Sequence, residues 1–124
     1  MAILSSAVYV RVRRNAFRVR DTKSGAEKTV TSSAPFTTNR LLIGQFTAAA
    51  QVLKDALKQL LSAGLFTPSP SIVIHPLEMT EGGLSEIEER VFREVAIEAG
   101  ANKVVVWVGH ELSDPEVVEK LRPK

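Results

Sequence analysis

The sequence predicts an α/β fold, a mixed five-stranded sheet laid down in the order β-β-β-α-β-α-β, with a C-terminal helix able to follow. Three observations predict it. Residues 7–21 alternate apolar and polar with period two, the mark of half-buried strands. Residues 46–63 and 85–99 carry apolar side chains at spacings of three and four, the mark of helices with one buried stripe. Each of these helices borders a short apolar run, at residues 71–76 and 103–109, and a strand reached through a helix returns parallel to its neighbour.

The elements follow in order. In AVYVRVRR, Val8, Val10 and Val12 share one face of a strand, with Tyr9, Arg11 and Arg13 on the other. AFRVRD repeats the pattern with Phe17 and Val19 opposite Arg18 and Arg20. Arg14-Asn15 lies between the two, and Asn tolerates a tight turn. KSG makes a second turn, and EKTVTSSA, residues 27–34, gives a third strand. Residues 35–46 are less regular, with a short extended piece expected at Leu41–Ile43.

A helix over residues 46–63 buries Phe46, Ala49, Ala50, Leu53, Leu57, Leu60 and Leu61. Gly64 suits its C′ position, and Pro68 and Pro70 stop it from resuming. SIVIHP reads as a central strand. Ser85 and Glu88 then form a capping box. Glu86, Glu88 and Glu89 sit in the first turn, where the helix dipole favours anions. Leu84, Ile87, Val91, Val95 and Ala99 are the expected buried stripe, and Gly100 ends the helix. KVVVWVG is apolar throughout, the pattern of a parallel strand covered on both faces. DPEVVEKL can add a terminal helix, with Asp114 as N-cap and Pro115 at N1.

No repeat, linker or low-complexity segment interrupts the chain, so residues 1–124 are read as one domain. A chain of that size can bury its own core. There is no apolar run long enough for a transmembrane span. The opening MAILSSAVYVRVRR lacks the long apolar segment of a secretory signal. No cysteine is present, which excludes disulfides and thiolate metal sites and fits a cytoplasmic setting. Charge is divided unevenly. Residues 1–58 hold ten Lys/Arg against three Asp/Glu, and residues 59–124 hold six against eleven. A basic half can attract nucleic acid, a membrane surface or an acidic partner, and it can equally be a solvated strand face balanced by the acidic half.

Three meandering strands followed by two crossovers describe an RNase H-like sheet, which is also the half-domain of the actin-like ATPases. The residues extend the likeness. LSEIEERVFREVAIEAGANKVVV resembles a segment of MreB, the bacterial actin-like family that determines rod shape. Ser85, Glu86, Ile87, Glu88, Arg90, Val91, Arg93, Glu94 and Ala96 match or substitute conservatively for its helix, and Glu98-Ala99-Gly100-Ala101 for the turn after it. PSIVIHP resembles the strand before that helix, and LLIGQFTAAAQVLKDALKQLL the helix further upstream. The resemblance runs over residues 41–108, corresponding to the first subdomain of such a protein.

The family implies ATP held between two large domains and polymerisation into membrane-associated filaments. Its phosphate-binding hairpin uses Asp-x-Gly, where this chain has Arg13-Arg14-Asn15-Ala16. Its strand after the Glu-Ala-Gly-Ala turn ends in a water-positioning glutamate. This chain has Gly109-His110 there, with Glu111 one residue late, and such positioning tolerates little displacement. The second phosphate loop and adenosine pocket belong to a domain outside the matched segment. The expected function is therefore a non-catalytic actin-like domain acting through protein contacts or self-association, in a bacterial cell-shape or filament system, without a cofactor. The alternatives are a reduced nucleotide-binding domain completed by a partner, and a basic nucleic-acid-binding module.

Two residue groups are candidate sites. Tyr9, Arg11, Arg13, Arg18 and Arg20 form a candidate interaction surface on one strand face. Its arginines suit phosphates or acidic side chains, and Tyr9 could stack, although no aromatic set of the RNA-binding kind accompanies it. A nuclease would need several carboxylates for two metals, and these strands supply only Asp21. The second group is His75 with Glu78 and His110 with Glu111, at the ends of two strands expected to be neighbours. Ligands bind at such strand ends in open α/β sheets. The alternative is that each histidine is hydrogen-bonded to a loop. No catalytic residue or metal ligand is assigned.

Overall fold

The computed structural model describes residues 6–61 and 69–122. Its elements are β1 (Ala7–Arg13), β2 (Ala16–Asp21), β3 (Glu27–Thr31), α1 (Phe46–Leu60), β4 (Ser71–Pro76), α2 (Glu86–Glu98), β5 (Lys103–Val106) and α3 (Asp114–Leu121). They form one sheet in the order β3-β2-β1-β4-β5. The β1–β2 and β2–β3 pairs are antiparallel, and β1–β4 and β4–β5 are parallel. This is the mixed five-stranded α/β sheet expected from the sequence.

Two layers cover the sheet unequally. On one face α1 lies over β2 and β3, and α2 over β4 and β5. Val8, Val10, Val12, Phe17, Val19, Ile72 and Ile74 point into that layer and meet Leu53, Leu57, Phe92 and Val95. Burying each such side chain contributes about 1.5–3 kcal/mol, so this face supplies most of the hydrophobic drive. On the other face α3 covers β1, β4 and β5. Tyr9, Val73, Leu112, Val117 and Leu121 make a smaller apolar cluster there. Beyond α3, that face of β2 and β3 carries charge.

The first hairpin fixes more than its own register. Arg13 pairs with Ala16 across the Arg14-Asn15 turn. Asn15 adopts φ 55°, a left-handed conformation that Asn enters more readily than most residues. Its side-chain Oδ1 accepts from the backbone N–H groups of Phe36 and Thr37, both at 2.8 Å. Phe36 then stacks on Phe17 with ring centres 4.9 Å apart. The segment after β3 is thus anchored without pairing. No strand forms at Leu41–Ile43; Leu42 and Ile43 are buried in the core instead. A Cβ at Gly44 would lie 2.3 Å from the Thr38 side chain, so that close approach requires glycine.

Several boundaries and faces differ from the expectation. The third strand ends at Thr31. Helix α1 ends at Leu60, where the Leu61 N–H donates to Leu57 O at 2.9 Å. The expected Gly64 cap and Pro68 stop fall outside the described residues. Phe46, expected on the buried stripe, is 39% exposed at the helix start. In α2 the capping box between Ser85 and Glu88 is present, Val95 and Ala99 of the expected stripe are buried together with Phe92 and Ala96, and Leu84 and Val91 pack partly buried against the core. Ile87, five residues before Phe92, is about 140° round the helix from it and points outward. The final helix is capped by Ser113, with Glu116 completing a second capping box, while the Asp114 carboxylate goes to Arg20.

The strand expected to be fully covered, β5, is the short outer edge. Val104 and Val106 pack toward the α2 layer and Val105 and Trp107 toward α3, yet all four remain partly exposed. Both faces are covered, and the missing outer neighbour accounts for the exposure. Arg93 Nη1 donates to Val104 O at 3.1 Å, which blunts an edge that could otherwise pair with another strand. Among the described residues no helix is long and apolar enough to cross a membrane.

Candidate interaction surface

Strand register assembles the arginine face. Across β1 and β2, Tyr9 opposes Arg20 and Arg11 opposes Arg18; across β2 and β3, Arg18 opposes Thr29 and Arg20 opposes Glu27. Four arginines therefore stand on one face, and carboxylates reach three of them, Arg11, Arg18 and Arg20. Glu27 accepts from Arg11 at 2.9 Å, from Arg20 at 3.3 Å, and from Arg18. Burial alone would raise the Glu27 carboxyl; the Arg18, Arg11 and Arg20 guanidinium groups outweigh it and hold the carboxyl below its usual range.

Arg20 also grips Asp114 at 2.8 and 3.0 Å, a bidentate fork that docks the start of α3 onto β2. Each partner favours the charged form of the other, so the Arg20 pKa is raised and that of Asp114 lowered. Arg11 lies 4.9 Å from the Tyr9 ring centre and reaches Glu111 at 3.1 Å. Its Nε is buried without an acceptor. Arg13 is exposed and has no ion-pair partner among the described residues. A cleft of about 180 Å³ opens between Arg11, Arg13, Arg18, Leu77 and Glu111. A broader groove of about 460 Å³ continues past Arg11 toward Arg20 and Asp114.

Tyr9 is not at the surface that alternation suggested. It is 2% exposed, because α3 and Leu112 cover it. Its hydroxyl lies 2.7 Å from His75 Nδ1 and accepts from Leu112 N–H at 3.1 Å. His75 Nε2 lies 3.0 Å from Gly109 O. A carbonyl can only accept, so Nε2 carries the proton and Nδ1 accepts from the Tyr9 hydroxyl. Burial pushes the His75 pKa down, against the opposing pull of Gly109 O, and burial likewise raises that of Tyr9. This relay fastens the loop between β5 and α3. Gly109 makes room for it: at φ 151° its Cβ would fall 2.7 Å from the Trp107 ring.

The other strand-end residues do not gather into one site. His75 is buried and committed to Tyr9 and Gly109. His110 is exposed and lies 3.2 Å from Glu116. Glu111 goes to Arg11. Glu78 turns to the first hairpin, where it accepts from Arg14 N–H at 2.8 Å and faces the Arg14 guanidinium at 3.6 Å. Among the described residues no three His, Cys, Asp or Glu side chains converge as a metal site.

Sequence reasoning missed Glu27, Asp114 and the clasp of Asn15. Glu27 had a signal, since a hairpin through KSG sets it opposite Arg20. Asp114 had none, lying 94 positions from its partner.

No protein-family model matches the chain. It is 39% identical over 128 aligned positions to "Uncharacterized protein YjaA" of Escherichia coli (strain K12), covering 96% of this chain and 99% of that protein. The chain belongs to the YjaA family. Among solved structures, this YjaA-family chain resembles the ethanolamine utilization protein EutJ from Carboxydothermus hydrogenoformans, with a TM-score of 0.53 and 17% identity over 87% of the chain. It spans 38% of the EutJ chain. At that identity the likeness concerns fold alone, and it supports the fold of an actin-like half-domain for this chain.

Proposed function

We propose that this chain is a non-catalytic interaction domain built on an actin-like half, which engages acidic protein surfaces through its arginine face. The observation that carries the reading is the occupied hairpin. A phosphate-binding hairpin must present free amides to an anion. Here the Arg14 amide is taken by Glu78 at 2.8 Å and the Asn15 amide by Thr37 Oγ1 at 2.9 Å. Glu111, the carboxylate nearest the position where the MreB resemblance needs a water-positioning glutamate, is bound to Arg11. The setting is a bacterial cell-shape or filament system in the cytoplasm, on the strength of that resemblance and of a chain without cysteine.

The arginine face suits an acidic protein better than nucleic acid. Glu27, Glu111 and Asp114 already offset much of its charge, whereas phosphate binding scales with the number of free cations. A half-site completed by a partner has one observation in its favour, the match to 38% of the EutJ chain. Titrating ATP and Mg²⁺ into the chain, followed by thermal shift and light scattering, tests the proposal. The expected result is no saturable shift. A saturable shift from the isolated chain contradicts it, and a shift only with a partner present moves the reading to the half-site.

A further inference from the structure

The arginine cleft and the first turn of α2 complement each other, and they lie on opposite faces of the sheet of one chain. At the cleft, Arg13 lacks an ion-pair partner among the described residues, and the Arg18 side chain is 54% exposed despite its contact with Glu27. Ala16 and Leu77 give the cleft an apolar wall, and its 180 Å³ accommodates a branched aliphatic side chain. At the start of α2, Glu86 has no ion-pair partner among the described residues, and Glu89 stands 3.5 Å from Arg93. Between them Ile87 is 74% exposed, the highest value among the exposed large hydrophobic residues described. An apolar anchor ringed by charge is the common build of an interface centre and its rim. The division of charge between the halves of the chain, basic over residues 1–58 and acidic over 59–124, gives the same polarity on a larger scale.

We propose that the Arg13–Arg18 cleft receives the first turn of α2 from a second copy of this chain. Ile87 of one copy packs against Ala16 and Leu77 of the next, and Glu86 and Glu89 face Arg13 and Arg18. This rests on the reading of the arginine face as a docking surface. The two surfaces differ, so the contact is heterologous and a two-fold axis does not close it; successive copies can add head to tail. Exposed ion pairs are individually weak and screened by salt, so the association is concentration-dependent and falls as ionic strength rises.

Sedimentation velocity on the full chain, over a wide concentration range at low and high salt, tests the contact. The wild type is expected to form growing oligomers at low salt and to dissociate at high salt. Two variants break opposite sides: Arg13→Ala with Arg18→Ala at the cleft, and Glu86→Ala with Ile87→Ala on the helix. All four side chains are at the surface or the cleft rim, and circular dichroism checks that both variants fold. Each variant alone is expected to sediment as a monomer. Mixed in equal amounts they form a one-to-one heterodimer and nothing larger, because each supplies the surface the other lacks. A wild type that stays monomeric at every concentration, a variant that associates like wild type, or a mixture without heterodimer overturns the contact. The nucleotide titration, which judges the interaction-domain reading, does not depend on this outcome.

Discussion

The two faces of the sheet are built on different physics. The face under α1 and α2 is held by apolar side chains whose positions repeat along each element. The face under α3 is held by a few directed contacts between residues far apart in sequence, such as Tyr9 with Leu112 and Arg20 with Asp114. Hydrophobic burial is non-directional and adds up over area, so the first face tolerates variation in which residue does what. Directed contacts fail one by one, and a buried group left unpaired is costly. The second face is thus the one whose shape depends on single side chains, and it is the one that carries the candidate surface.

Four substitutions sharpen the contrast. The largest effect belongs to the first face. Leu53→Ala removes a fully buried side chain from the middle of α1 and is expected to cost about 2–5 kcal/mol, read from the urea midpoint with an unchanged slope. A loss well under 1 kcal/mol would remove the claim that this face supplies most of the stability.

Next comes the relay on the second face. Tyr9→Phe keeps the ring and leaves Leu112 N–H and His75 Nδ1 without their partner, at an expected cost of about 1–3 kcal/mol. The same relay carries a pH dependence. The folded chain lowers the His75 pKa, so the unfolded chain takes up the proton first. Stability from the neutral ring is full above about pH 6.5, the unfolded value. It declines as pH falls below that toward the folded pKa. Urea unfolding at a series of pH values is expected to show this slope in the wild type and a shallower one in His75→Gln. Identical slopes in the two proteins would contradict the buried-neutral assignment.

The smallest effect is at Glu27. Glu27→Gln weakens three arginine contacts on a partly exposed site and is expected to cost about 1 kcal/mol or less at low salt. The difference shrinks as salt is added. The Glu27 pKa is lowered in the fold, so its contribution is present above the usual carboxylate range and is lost as pH falls through the folded value. A salt-independent loss would mean that packing, not charge, is what Glu27 supplies.

The contrast between the faces also explains what the sequence made legible. The alternation of Val8, Val10 and Val12, the α1 stripe through Leu53 and Leu57, and the Ser85–Glu88 box are all local signals, and each corresponds to what the fold shows. Of the expected stripe Leu84, Ile87, Val91, Val95 and Ala99, the last two are buried and Leu84 and Val91 pack partly buried against the core, while Ile87 is exposed. Phe92 and Ala96 complete the buried face, which the packed layer selects and helical spacing alone does not. Alternation sets Tyr9 on the arginine face, and nothing local announces that α3, 105 positions later, will cover it. Asp114 illustrates the same limit. It has the composition of an N-cap, yet its carboxylate is taken by Arg20 while Ser113 caps the helix. The candidate surface was legible as a row of arginines. Which of them remain available, Arg13 and the outer part of Arg18, depended on partners brought from distant segments.

The occupied hairpin is the centre of the functional account, and calorimetry addresses it directly. ATP with Mg²⁺ is titrated into the full chain at low salt, where any anion site binds most strongly. The account expects heats no larger than dilution, because Glu78 and Thr37 already hold the Arg14 and Asn15 amides. A saturable isotherm with about one nucleotide per chain would contradict it.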